Sequence, residues 1–252
     1  GPSGCATTAA YEIGYTSKSY NGFRFAVAID MPSYYTSQGY YRGKDYPIFD
    51  GQQVLNGNVE EMVPDIPAWV EYSWSKMNRV RLSGLFRHYA YRDLVADKRR
   101  GVIGWGAMLS GNLQPAKPVT FYYQFVYGHG IGAYIQDIAG KPISFVPDNA
   151  APGKMKTAPM MGANIGVSIN PTPKLQFNAM FSEARIWDVS DYCNALPEDQ
   201  NYKYALYGAV NCFYNITSYL QVGVEYLYGH RQTWNIGGAD DSRIQTQLAF
   251  TF

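Results

Sequence analysis

The chain has 252 residues, of which 16% are aromatic and only 16% charged, against roughly 25% charged in ordinary soluble domains. A formal net charge of +1 offers no field for holding nucleic acid. Mean hydropathy is -0.27, and no run approaches the roughly 20 apolar residues of a spanning helix, which excludes a bundle of transmembrane helices.

In chain order, a first strand is expected over about 5–17. Phe23, Phe25, Val27, Ile29 and Met31 then alternate with Arg24, Ala26, Ala28 and Asp30. That period of two marks a strand with one apolar face. Further strands are expected over about 67–76, 80–92 and 102–112, and Phe121, Tyr123, Phe125 and Tyr127 share one side of 120–129. Over 160–170, Met161, Ala163, Ile165, Val167 and Ile169 oppose Gly162, Asn164, Gly166 and Ser168. In 175–187 the apolar face Leu175, Phe177, Ala179, Phe181 runs on into Glu183 and Arg185, so a bulge or an exit from the membrane is expected there. Alternating strands over 204–214, 220–231 and 243–252 complete about eleven.

The connections carry more information than the alternation. Short ones near Ser17–Asn21, Met77–Arg79, Asn112–Lys117, Asn170–Lys174 and Asn215–Ser218 are interleaved with longer ones at about 32–66, 93–101, 130–158, 188–202 and 232–242. Strict short and long alternation is what an antiparallel up-and-down transmembrane β-barrel produces, with tight turns on one rim and loops on the other. Tyr11, Tyr15, Tyr89, Tyr91, Tyr127, Tyr214, Tyr226 and Tyr228 gather near strand ends, as interfacial girdles do. The polar faces are rich in Gly, Ala, Ser and small amides, suiting a lumen wall better than a soluble surface loaded with Lys and Glu.

The last strand, Ile244 to Phe252, alternates and ends on phenylalanine, and it resembles the signal by which outer-membrane assembly machinery recognises barrels. The stretch Tyr123-Gln-Phe-Val-Tyr-Gly-His-Gly-Ile-Gly-Ala-Tyr-Ile-Gln-Asp137 resembles the strand-and-loop segment of the DcaP-like trimeric porins. Gly22-Phe-Arg-Phe-Ala-Val-Ala-Ile29 and Val80-Arg-Leu-Ser-Gly-Leu-Phe-Arg87 fit the same family, and the resemblance spans most of the chain from about residue 11. It implies a sixteen-stranded homotrimer in the bacterial outer membrane, among lipid and lipopolysaccharide. It also implies an N-terminal periplasmic extension and passage of small hydrophilic solutes, often anionic or dicarboxylate. With about 11–12 strands visible and no extension, residues 1–252 are expected to be one barrel domain lacking N-terminal strands; a self-contained twelve-stranded barrel is the alternative.

Selectivity in such a pore comes from lumen charges and constriction. Arg24, Arg81 and Arg87 lie on the polar faces of their strands as a candidate basic ladder favouring anions. Asp30, Glu71 and Glu225 supply the opposite charge, and Glu12 and Arg231 add one of each sign. The alternative is a set of paired lumen charges that makes a transverse field without a specific site. Segment 130–158, with Asp137, Lys141 and Asp148, is the candidate constriction loop, against a plain surface loop. Segment 32–66, with Tyr34, Tyr35, Tyr40 and Tyr41, is a second candidate. Lys98, Arg99 and Arg100 read as an outward loop that meets lipopolysaccharide phosphate or water.

Cys5, Cys193 and Cys212 lie far apart with no Cys-x-x-Cys, although Cys5 and Cys193 are both expected near the outer rim. His88, His129 and His230 fall on apolar faces of well-separated strands, where they converge on neither a nucleophile nor a metal. With no Gly-x-Ser-x-Gly or His-Glu-x-x-His, neither a catalytic residue nor a metal or cofactor site is expected. The reading is a passive diffusion porin; a non-conducting structural or adhesin barrel and an outer-membrane hydrolase are the alternatives.

Overall fold

The computed structural model describes residues 4–6, 12–30, 59–60, 63–93, 96–139, 143–148, 150–151, 154–190 and 201–251. Its strands are β1 (Glu12–Thr16), β2 (Phe23–Asp30), β3 (Val59–Glu60), β4 (Ile66–Ser75), β5 (Asn78–Asp93), β6 (Lys98–Ala116) and β7 (Val119–His129). There follow β8 (Phe145–Pro147), β9 (Met155–Thr157), β10 (Pro159–Thr172), β11 (Leu175–Ile186), β12 (Tyr202–Asn215), β13 (Leu220–Thr233) and β14 (Gly238–Phe250). Eleven of them stand in one antiparallel row in strict chain order, from β1 and β2 through β4–β7 to β10–β14. Short β3 pairs with β5, and β8 with β9 makes a separate ribbon. Nearest-neighbour order throughout is the up-and-down plan expected from the sequence.

Register aligns the apolar residues into continuous outward stripes. Val70 lies opposite Leu82, Leu82 opposite Leu109, Leu109 opposite Phe125 and Phe125 opposite Ala163. These side chains are exposed: Phe23, Phe25, Ile103, Phe121, Ile165, Phe181, Tyr226 and Leu248 all stand out on the outer surface. Burial instead belongs to the inner face. There Tyr89, Tyr91, Val126, Met160, Ala184, Ile186, Tyr202 and Ala205 form one cluster with Ile131, Ile135, Ile138, Ile143, Phe145, Val146 and Met155 of the segment that connects β7 to β10. A sheet that is exposed and apolar outside, and packed only inside, inverts the soluble pattern, because hydrocarbon is the solvent of the outer wall.

Four expectations need correction. First, residues 5–17 are not one wall strand: β1 begins at Glu12, while Ala6 bridges Ile135 and residues 7–11 lie outside the described residues. Second, short and long connections do not alternate strictly. β5 and β6 stay paired out to Asp93↔Lys98, and β13 and β14 out to Gln232↔Gly238, so only four residues separate the strands of each pair. Ladder hydrogen bonds are made by backbone whatever the side-chain polarity, so charged residues such as Lys98, Arg99 and Arg100 extend the strand instead of ending it. Third, of the two expectations for 175–187 the bulge is absent: the pairing of β11 with β10 and β12 is regular from Arg185 to Phe177. Glu183 and Arg185 stay on the outward face and neutralise each other at 2.7 Å, with Arg185 also over the Tyr204 ring at 4.5 Å. Fourth, Tyr89 and Tyr91 are not girdle residues; both are inside, against Phe145 at ring distances of 5.0 and 5.6 Å.

Candidate functional site

The inner face has two halves. The half beneath the loop rim is filled by the segment between β7 and β10, which turns inward directly after His129. Inward-facing glycines on β6 make the room: a Cβ on Gly104 would press on Tyr89 and Arg87, and one on Gly106 on Ile131. The segment is fastened by polar contacts as well. Arg87 Nε donates to Asp65 Oδ1 at 3.0 Å and its Nη1 to the Gly130 carbonyl at 3.2 Å, and Tyr89 donates to the same carbonyl at 2.6 Å. Tyr134 donates to Asp65 Oδ2 at 2.6 Å. Burial, with the Asp65 charge beside it, pushes the Tyr134 hydroxyl above its usual range and keeps it a donor.

The half nearer the tight turns is open. A cavity of about 450 Å³ lies there, lined by Glu71, Arg79, Arg81, Asn112, Tyr122, Gln124, Asn164, Ser168 and Asn178 among others. At one end Glu71 is buried and takes two bonds from Arg81, at 2.7 and 2.9 Å, with Arg79 at 4.0 Å. Arg24 faces Glu71 across the β2–β4 ladder, and Trp69 lies beneath both Arg24 and Arg81, 5.9 and 4.1 Å from the ring centre. Three arginines thus stand around the Glu71 carboxylate. Further round the wall runs a chain of amides: Gln176 donates to Ser168 and Asn178, Asn178 to Asn211 at 2.7 Å, and Asn211 to Glu225 at 2.9 Å. Gln245 donates to the other oxygen of Glu225.

The sequence-picked residues thus separate into groups. Arg24, Glu71 and Arg81 come together on adjacent strands, while Glu225 stands in the amide chain and Arg231 lies over the Tyr202 ring at 5.8 Å. Asp30 and Arg87 also face inward, but at 5% and 2% exposure both are covered, so Arg87 is a fastening residue and not an open rung of a ladder. Asp137 reaches the Tyr202 hydroxyl, whereas Asp148 closes a local turn by accepting from Ala150 at 3.1 Å. Lys141, Cys193 and nearly all of 32–66 lie outside the described residues. Arg79 and Asn112 were missed although inward parity would have marked them; Asp65 and Tyr134, at loop positions, carry no periodic signal. His88, His129 and His230 are on the outward face, His129 stacked with Trp105 at 5.6 Å and His230 2.9 Å from Asp240. No cluster suited to a metal ion occurs among the described residues.

An exposed apolar exterior around a polar, charge-paired trough defines the wall of a transmembrane β-barrel of the porin type. Among solved structures, this fold is similar to the outer membrane channel DcaP of Acinetobacter baumannii, with a TM-score of 0.74 and 16% identity. The alignment covers 99% of this chain and 64% of that one, so the chain spans just under two thirds of that channel. Far weaker likenesses are to the NanC porin (TM-score 0.39, 12% identity, 96% of this chain and 92% of that) and the CymD monoaromatic hydrocarbon channel (TM-score 0.42, 7% identity, 95% and 72%). No family model and no curated protein matches the sequence. The all-β, antiparallel up-and-down arrangement implied by the DcaP-like resemblance is found here as eleven strands in a row.

Proposed function

We propose that the chain is the barrel wall of a bacterial outer-membrane diffusion channel for small hydrophilic solutes, assembled as a homotrimer among lipid and lipopolysaccharide. The observation that carries this reading is the inversion of polarity: an apolar, exposed outer face along every long strand, and an inner trough lined by arginine, carboxylate and amide groups. Such a trough lowers the cost of moving a polar solute past hydrocarbon. Its preference is for small anions, including dicarboxylates. Arg24, Arg79 and Arg81 face one buried carboxylate, Glu71, and this end of the trough therefore carries net positive charge. The segment carrying Asp137, Lys141 and Asp148 narrows the lumen from the loop rim, and Asp30, Glu225 and Arg231 complete a transverse field across it.

A second reading, a closed structural barrel, is favoured by one observation: the apolar packing of Ile131, Ile135, Ile138 and Phe145 inside the wall. Single-channel conductance in a planar bilayer, with reversal potential measured in a salt gradient, separates the two. Conductance steps in threes with anion-favouring reversal, weakened in Arg81→Ala, support the channel. A folded barrel that never conducts sinks it and leaves the closed reading.

A further inference from the structure

Residues Gly4–Ala6 do not belong to the wall. They lie on its inner face, held by groups that read backbone. The Gln124 side-chain amide accepts from the Ala6 N–H at 2.9 Å and donates to the Ala6 carbonyl at 3.1 Å, the two-bond pattern of a neighbouring strand. The Gln136 N–H donates to the Cys5 carbonyl at 3.0 Å, and Ala6 makes a β-bridge with Ile135 of the inward segment. Gly4 N–H points at Ser182 Oγ, 3.5 Å away. Gly4 is also pressed flat on the β10–β11 ladder: a Cβ there would collide with the carbonyl oxygens of both Ala163 and Glu183. The facing wall residue is Gly162, where a Cβ would meet the Gly4 carbonyl at 2.6 Å. Two glycines in contact where the segment lies on the wall, with a glutamine paired to both polar groups of one peptide residue, make a built seat for a backbone.

We propose that Gly4–Ala6 is a self-ligand of the lumen, a strap that docks in the seat formed by Gln124, Gly162, Ser182 and Ile135 and narrows the passage beside the inward segment. The narrowing rests on the channel reading; the docking does not. Any side chain at residue 4 is excluded from the seat, so Gly4→Val releases the strap without touching the barrel wall. Gln124→Leu removes both hydrogen bonds to Ala6 from the other side.

The test uses residues 1–252 with Cys193 and Cys212 changed to Ser, leaving Cys5 as the one thiol among them. A charged methanethiosulfonate is expected to modify Cys5 about tenfold faster in Gly4→Val and in Gln124→Leu, the ratio that losing one or two net hydrogen bonds gives. Single-channel conductance is expected to rise in both variants. Equal modification rates in all three proteins overturn the docking. Faster modification with unchanged conductance overturns the narrowing, and faster modification in barrels that never conduct keeps the docking while sinking the channel reading.

Discussion

Replacing Arg87 with Met tests what fastens the inward segment. The Arg87 and Asp65 side chains are 3% and 2% exposed, and the guanidinium is also 5.1 Å from the ring centres of both Tyr89 and Tyr134. Methionine keeps much of the volume but leaves the Asp65 carboxylate buried, with the Tyr134 hydroxyl still donating to its other oxygen. Breaking a buried pair by removing one partner costs about 3–5 kcal/mol, mostly the penalty of the stranded charge. Adding Asp65→Asn removes that charge while keeping an oxygen for Tyr134, so the double variant is expected to recover at least ~2 kcal/mol of the loss. Urea unfolding in lipid vesicles, followed by tryptophan fluorescence, reads both. A loss under about 1 kcal/mol in Arg87→Met, or a double variant worse than the single, would refute a buried ion pair as the fastening.

Placing arginine at Ile165, in the middle of the outward face of β10, is expected to cost ~2–4 kcal/mol of folding free energy in bilayers. The same change at the adjacent inward Asn164 costs far less, and equal costs in a vesicle-refolding titration would contradict the assignment of faces. Gly106→Leu, whose side chain would enter the space held by Ile131, is expected to loosen the inward segment by about 1–3 kcal/mol. Protease cleavage between residues 130 and 158 of the folded barrel is the readout, and unchanged resistance would count against the packing. Glu71→Gln leaves Arg24, Arg79 and Arg81 without their shared carboxylate, so reversal potential is expected to shift further towards anions; no shift means that these arginines do not face permeating ions.

The eleven wall strands and their order were legible in the sequence, because both rest on local repetition; which face meets lipid was read from the tyrosines at strand ends and the small residues of the polar faces. Phe23, Phe25, Val27 and Ile29 can share a face only if the backbone is extended, and antiparallel neighbours need nothing beyond short connections. The cluster of Arg24, Glu71 and Arg81 was partly legible for the same reason, since parity put all three inside. Parity cannot say how deep an inward residue is or what covers it. Whether Arg87 lines water or is sealed beneath Tyr134 depends on where a loop without periodicity folds back. Tyr89 and Tyr91 show the same limit: a tyrosine near a strand end suits a membrane interface and an inner apolar cluster equally, and only packing against Phe145 chose between them. Local pattern determined the wall. Contacts between segments far apart in sequence, Asp65 with Arg87 and Gly4 with Gly162, decided what fills it.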